Sequence, residues 1–143
     1  MNRATPQIRD FAGRLIAYDA REIPASAPPV AFPVPERLRP YLATLMGNGG
    51  YRALLLRSLA LASAEVSWLG AAQVAADGTL EGFDELEAQV DLGGIAGGRV
   101  ALVAQLIGLL VAFIGEKLTM QLVREVWPSL PPEDLNFSKG DRT

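Results

Sequence analysis

The stretch Arg99–Trp127, RVALVAQLIGLLVAFIGEKLTMQLVREVW, decides the fold. Between Arg99 and Glu116 every residue is apolar or Gly except Gln105. A run so apolar on all sides is not the one-sided pattern of a surface helix. Its sixteen residues reach only ~24 Å at ~1.5 Å per residue. A bilayer core of ~30 Å asks for about 20 apolar residues. The expectation is therefore one helix from Arg99 to Trp127, stopped by Pro128 and enclosed by protein, at the centre of a helical fold or of a dimer.

A second segment shares this character. Tyr51–Leu69 reads YRALLLRSLALASAEVSWL, with Leu54, Leu55, Leu56, Leu59, Leu61, Val66 and Leu69 spread round the helix. Two helices that are apolar nearly all round pair naturally. Upstream, Pro6 to Ile23 is amphipathic: Ile8, Phe11, Ala12, Leu15 and Ile16 fall at helical spacing behind a Thr5-Pro6 start. Pro24 to Pro35 holds five prolines and predicts an extended connector. Glu36 to Met46 predicts a short helix with Leu38, Tyr41, Leu42, Leu45 and Met46 apolar, ended by Gly47-Asn48-Gly49-Gly50. Asp77-Gly78 marks a turn that suits a short hairpin near 71–82. Phe83 to Leu92 predicts an acidic helix, and the glycines at 93, 94, 97 and 98 predict a flexible lead-in to the long helix. After Pro128, Leu130, Leu135 and Phe137 are the residues able to dock a tail. The fold class is all-α, with four to five helices packed around two strongly apolar ones. The organisation is an N-terminal helix (1–23), a Pro-rich connector (24–35), a helical core (36–137) and a frayed tail (138–143).

Composition narrows the chemistry. The chain has 143 residues, half of them hydrophobic, which suits one domain with a sizeable core. It has no Cys and no His. That removes zinc fingers, iron–sulfur sites, His-ligated haem, disulfides and the Ser-His-Asp and Cys-His catalytic arrangements. No catalytic residue, cofactor or metal ligand is assigned. MNRATPQIRD lacks the apolar core of a signal peptide, so a cytoplasmic location is expected. Eleven of the thirteen basic residues are Arg, which hints at a GC-rich bacterial genome.

The net charge of −3 hides an asymmetry. Residues 1–57 carry eight Arg and four acids; residues 58–143 carry five bases and twelve acids. From Ser58 to Gly98 there is no Lys or Arg. Such a stretch repels phosphates, so no nucleic-acid partner is expected. Glu81, Asp84, Glu85 and Glu87 form a candidate surface for a partner protein; the plain alternative is a solvated helix face. Their spacing is not that of a calcium loop. Gly47–Gly50 lacks the Lys and Ser/Thr of a phosphate-binding loop.

In the long helix, Ala101, Ala104, Gly108, Ala112 and Gly115 make a narrow strip of small residues, as close helix packing requires. Ala53, Ala60 and Ala64 form a second strip. The strip packs either within one chain or against a second copy. Gln105 needs a hydrogen-bond partner if buried: Gln105 of a second copy, Ser58, Ser63 or a backbone carbonyl. Arg57 and Glu65, eight residues apart, share a face and are candidates for buried ion pairs with Glu116, Lys117 or Arg124.

RSLALASAEVSWL, followed by LVAFIGEKLTMQLVREVWP, resembles a family of short helical bacterial proteins, over roughly residues 35–137. The resemblance implies no activity, cofactor or catalytic residue. The function expected is therefore that of a non-enzymatic interaction or regulatory protein working through protein contacts as a homo-oligomer. The alternative is a membrane-associated effector whose 99–127 segment inserts or oligomerises in the bilayer.

Overall fold

A computed structural model describes residues 5–22 and 32–130. Helix α1 runs Pro6–Glu22. Its first turn is capped as the sequence predicts, with the Ile8 N–H donating to Thr5 Oγ1 at 3.2 Å. Ile8, Phe11, Ala12 and Leu15 are buried, so the i, i+3, i+4, i+7 stripe is the face turned to the core.

Helix α2 runs Pro33–Glu65 and changes direction at Gly47, whose φ of 79° and ψ of 161° lie outside the helical region. The predicted connector thus ends early. Pro33 and Pro35 sit in the first turn, where a missing N–H costs nothing; residues 23–31 lie outside those described. The Gly47–Gly50 loop also shrinks, because only Gly47 leaves the helix. Beyond Glu65 the chain tightens into a 3-10 turn, Ser67–Ala71. The predicted 51–69 helix therefore stops four residues short. Strands β1 (Gln73–Val74) and β2 (Leu80–Glu81) form the expected hairpin, pairing Gln73 with Glu81 and Val74 with Leu80. Arg39 donates to the Asp77 carbonyl at 3.0 Å, and Arg52 donates to the Ala75 carbonyl at 2.9 Å, so α2 holds the hairpin down. Hydrogen bonds from Thr79 keep the Asp77 carboxyl below the usual carboxylate range.

Helix α3 is short, Phe83–Glu87. Helix α4 runs Leu92–Ile114 and α5 runs Glu116–Val126. Two expectations are corrected here. The glycines at 93–98 are helical, not a loose lead-in. The Asp91 carboxylate caps the helix by accepting from the Gly94 N–H at 2.7 Å. Trp68 lies against the glycines: its Nε1 donates to the Gly94 carbonyl at 3.2 Å, and a Cβ on Gly98 would lie 2.3 Å from Trp68 Cζ2. Glycine here serves close approach, which outweighs its low helix propensity. The second correction is at Gly115, where φ is 91° and ψ 158°. The 99–127 segment is two helices, and Gly115 is the corner between them.

The five α-helices of the described residues make an all-α fold with one small two-stranded sheet. Helix α4 is its axis, packed on α1, α2 and α5. Every residue from Ala101 to Leu110 is buried. Asp19 of α1, itself buried, accepts from Trp127 Nε1 at 2.7 Å and pairs with Arg37 of α2, tying three elements together.

Tyr51 is fully buried and its hydroxyl donates to the Pro35 carbonyl at 3.2 Å. Burial, reinforced by the Glu36 charge and opposed by Arg39, pushes its phenol well above the ordinary range. With the folded value raised, the contribution is fully present below the unfolded value of ~10 and is lost as pH climbs beyond it. Tyr51→Phe is expected to cost about 1 kcal/mol at pH 7. The gap between the two proteins should narrow above pH ~10, measured by urea unfolding at both pH values; a constant gap contradicts the burial argument. Separately, Gly115→Ala should cost about 1–3 kcal/mol from backbone strain alone. A Cβ there meets nothing within 4 Å, so an unchanged melting temperature would show that the corner tolerates another conformation.

Candidate functional site

The first segment of α2 carries two apolar stripes where a one-sided helix needs one. Val34, Leu38 and Leu42 are buried, while Tyr41 and Leu45 are 39% and 55% exposed. Helix α5 repeats the pattern. Thr119, Leu122 and Val123 are buried, and Leu118 is 52% exposed. These surplus residues face one another across a groove of about 560 Å³ lined by Pro40, Tyr41, Thr44 and Leu45 on α2, Ile114 at the end of α4, and Leu118, Gln121, Leu122 and Glu125 on α5. Phe113, next to Ile114, is 71% exposed.

Backbone geometry shapes the groove. The α2 wall lies just before Gly47 and the α5 wall just after Gly115. Both glycines hold φ near +80 to +90° with ψ near 160°, a region essentially confined to glycine. A Cβ on either would meet nothing within 4 Å. They are therefore required by direction of the chain, not by packing. Pro40 forgoes the helical bond to the carbonyl four residues earlier, and Thr44 Oγ1 donates to the Pro40 carbonyl at 2.9 Å.

The residues singled out from sequence fall elsewhere. Ala101, Ala104, Gln105 and Gly108 are buried in α4, whereas Ala112 and Gly115 are exposed. The strip thus divides: its first part packs within the chain, and its last member is a corner. Ala53, Ala60 and Ala64 all face solvent. Gln105 is 2% exposed, and its Nε2 donates to Glu65 Oε2 at 2.5 Å. The other Glu65 oxygen pairs with Arg9 of α1 at 2.5 Å. Glu65 is exposed, not buried, and its pair is with Arg9 of α1 instead of Glu116, Lys117 or Arg124, because the turn at Val66 leaves it at the end of α2. Arg57 is exposed and is not part of a buried pair.

The acidic group also divides. Glu81, Asp84 and Glu85 are exposed. Glu87 is buried and receives two hydrogen bonds from Arg99, at 2.6 and 2.8 Å. It is withdrawn from the surface because α3 turns it toward α4. The Arg99 guanidinium lies 4.9 Å from the Phe32 ring centre, Phe32 stacks on Phe83 at 5.4 Å, and Trp68 tilts against Phe83 at 5.6 Å. This cluster fastens the hairpin end of the molecule to α4. Among the described residues no group of three or more Asp or Glu is placed to hold a metal ion.

No family model, curated protein or solved structure matches the chain. The groove presents apolar side chains to solvent around a concavity.

Glu87→Gln removes the charge that Arg99 faces while keeping the shape. A fully buried pair broken in this way costs ~3–5 kcal/mol, and with Arg99 a quarter exposed about 2–3 kcal/mol is expected. Urea unfolding checks this. Equal stability of the variant and the wild type would mean the pair does not hold α3 in place.

Proposed function

We propose that this chain is a non-enzymatic cytoplasmic protein-contact module, regulatory in role, whose working surface is the groove between the first segment of α2 and α5. One observation carries the reading: Leu45 and Leu118, each more than half exposed, stand on opposite walls of the same 560 Å³ groove. Burying apolar surface is worth ~25 cal/mol per Å², so a contiguous patch kept open marks a contact site. Two helical walls with apolar side chains between them suit a helix laid along the groove. The polar rim of Thr44, Gln121 and Glu125 supplies orientation without filling the centre.

A membrane-associated role is the competing reading, and one observation favours it. Helix α4 has 23 residues, long and apolar enough to cross a bilayer by length and composition. The sequence argument from a sixteen-residue run underestimates it, since the helix begins at Leu92. Its burial supports the first reading instead, because 61% of its most apolar 18-residue stretch is covered by the rest of the chain.

The two readings part on simple measurements. Protein from lysed cells is expected in the high-speed supernatant without detergent; recovery only from detergent-extracted membranes would favour the bilayer role. A photo-crosslinking phenylalanine placed at Leu118 should give protein adducts in cells, and one at Ala60 should not. Leu45→Glu with Leu118→Glu should abolish contacts while changing stability by no more than about 0.5 kcal/mol, as both sites are exposed. Equal adduct yields at positions 118 and 60 would remove the groove from the proposal.

A further inference from the structure

We infer that the groove is filled by a second copy of this chain, with its α5 laid antiparallel along the first; this rests on the groove being a contact surface. The charges on α5 carry the inference. Lys117, Gln121 and Glu125 follow one another at i, i+4 and i+8, and all three are exposed. They form a single stripe beside Leu118. The stripe has opposite charges at equal distances from its centre: Lys117 lies four residues before Gln121 and Glu125 four residues after it, about 6 Å each way at ~1.5 Å per residue. Neither Lys117 nor Glu125 forms an ion pair among the described residues.

A two-fold axis through Gln121 makes this stripe its own complement. It sets Lys117 against Glu125 of the second copy and, by symmetry, Glu125 against Lys117 of the second copy. A parallel arrangement in register would instead place Lys117 on Lys117 and Glu125 on Glu125, and like charges in contact oppose association. The charge order therefore selects the antiparallel orientation. The same axis brings position 118 opposite position 124. The aliphatic stem of Arg124, exposed here, then covers the half-exposed Leu118 while its guanidinium stays in water. The α2 wall adds neutral contacts, because its exposed residues Pro40, Tyr41, Thr44 and Leu45 carry no charge. A foreign helix would have to match this charge order independently; a second copy carries it by construction.

Charge reversal on the full chain tests the arrangement, read by sedimentation equilibrium at 50 mM and 500 mM salt. The wild type is expected to dimerise, more weakly at high salt. Lys117→Glu alone and Glu125→Lys alone each create two like-charge contacts per dimer, and each should weaken dimerisation at least tenfold at low salt. A 1:1 mixture of the two single variants should recover a heterodimer. The doubly reversed chain (K117E with E125K) should recover a homodimer. Circular dichroism establishes that each variant is folded. Recovery in both cases is the supporting result. Single variants that dimerise like the wild type overturn the antiparallel pairing. A wild type that stays monomeric, while the crosslinks from Leu118 persist, overturns the second copy and leaves the groove a contact surface for another protein. A monomer without those crosslinks overturns both.

Discussion

The packing of the described helices answers first to one demand, the enclosure of α4. Ten successive positions, Ala101–Leu110, are buried, and ten residues of helix turn nearly three times round the axis. No direction is left to solvent over that length. A single neighbouring helix covers only one stripe, so α1 and α2 must both lie along α4, with α5 folded back on it. Gln105 is the one side chain in this zone that cannot be satisfied by apolar cover. Its amide reaches Glu65, and Glu65 in turn holds Arg9. The polar exception thus becomes the point at which three helices are registered against one another. Leaving such an amide unmatched costs about 1–3 kcal/mol, enough to decide how the helices slide.

The same demand explains why the two ends of α4 are built differently. At its start the helix consists largely of glycine, which offers no apolar surface and little intrinsic stability. It is held by the Asp91 cap, by Trp68 against Gly94 and Gly98, and by the Glu87–Arg99 pair beneath Phe32. The Asp91 cap and the Trp68 contact need close approach, which is what Gly94 and Gly98 permit. At its far end nothing comparable among the described residues continues the cover. Phe113 is largely exposed, and the chain turns at Gly115.

The legibility of these features in the sequence follows from the range of the forces involved. Local signals are readable: the Thr5 cap, the α1 stripe, the Asp77-Gly78 turn and the unbroken apolar character of residues 100–114 all depend on neighbours in the chain. Glycine is ambiguous, since the same residue marks a loop, a close contact or a corner. Gly98 and Gly115 look alike in sequence; Trp68, thirty positions from the first, separates them in space. Charged partners are less readable still. Arg57 and Glu87 differ in no local respect that tells which is exposed and which is buried, because the answer lies in where α3 turns. The groove did leave a trace. Tyr41 and Leu45 run beside the buried series Val34, Leu38 and Leu42, and Leu118 stands off the stripe of Thr119, Leu122 and Val123. A second apolar stripe on a short helix is a surplus that core packing does not require.

That surplus is the reason to separate two kinds of small-residue and apolar pattern. The strip of Ala101, Ala104 and Gly108 is buried inside the chain. The surplus of Tyr41, Leu45 and Leu118 is not, and the positive-φ glycines at 47 and 115 aim it outward. Helices continued straight through either position would not bound this groove with the same walls. The conformations at Gly47 and Gly115 exclude side chains on steric grounds although space for a Cβ is present. Enclosing α4 accounts for the fold-back of α5 at Gly115, and the groove with its half-exposed Leu45 and Leu118 is what the two corners leave open beside that core.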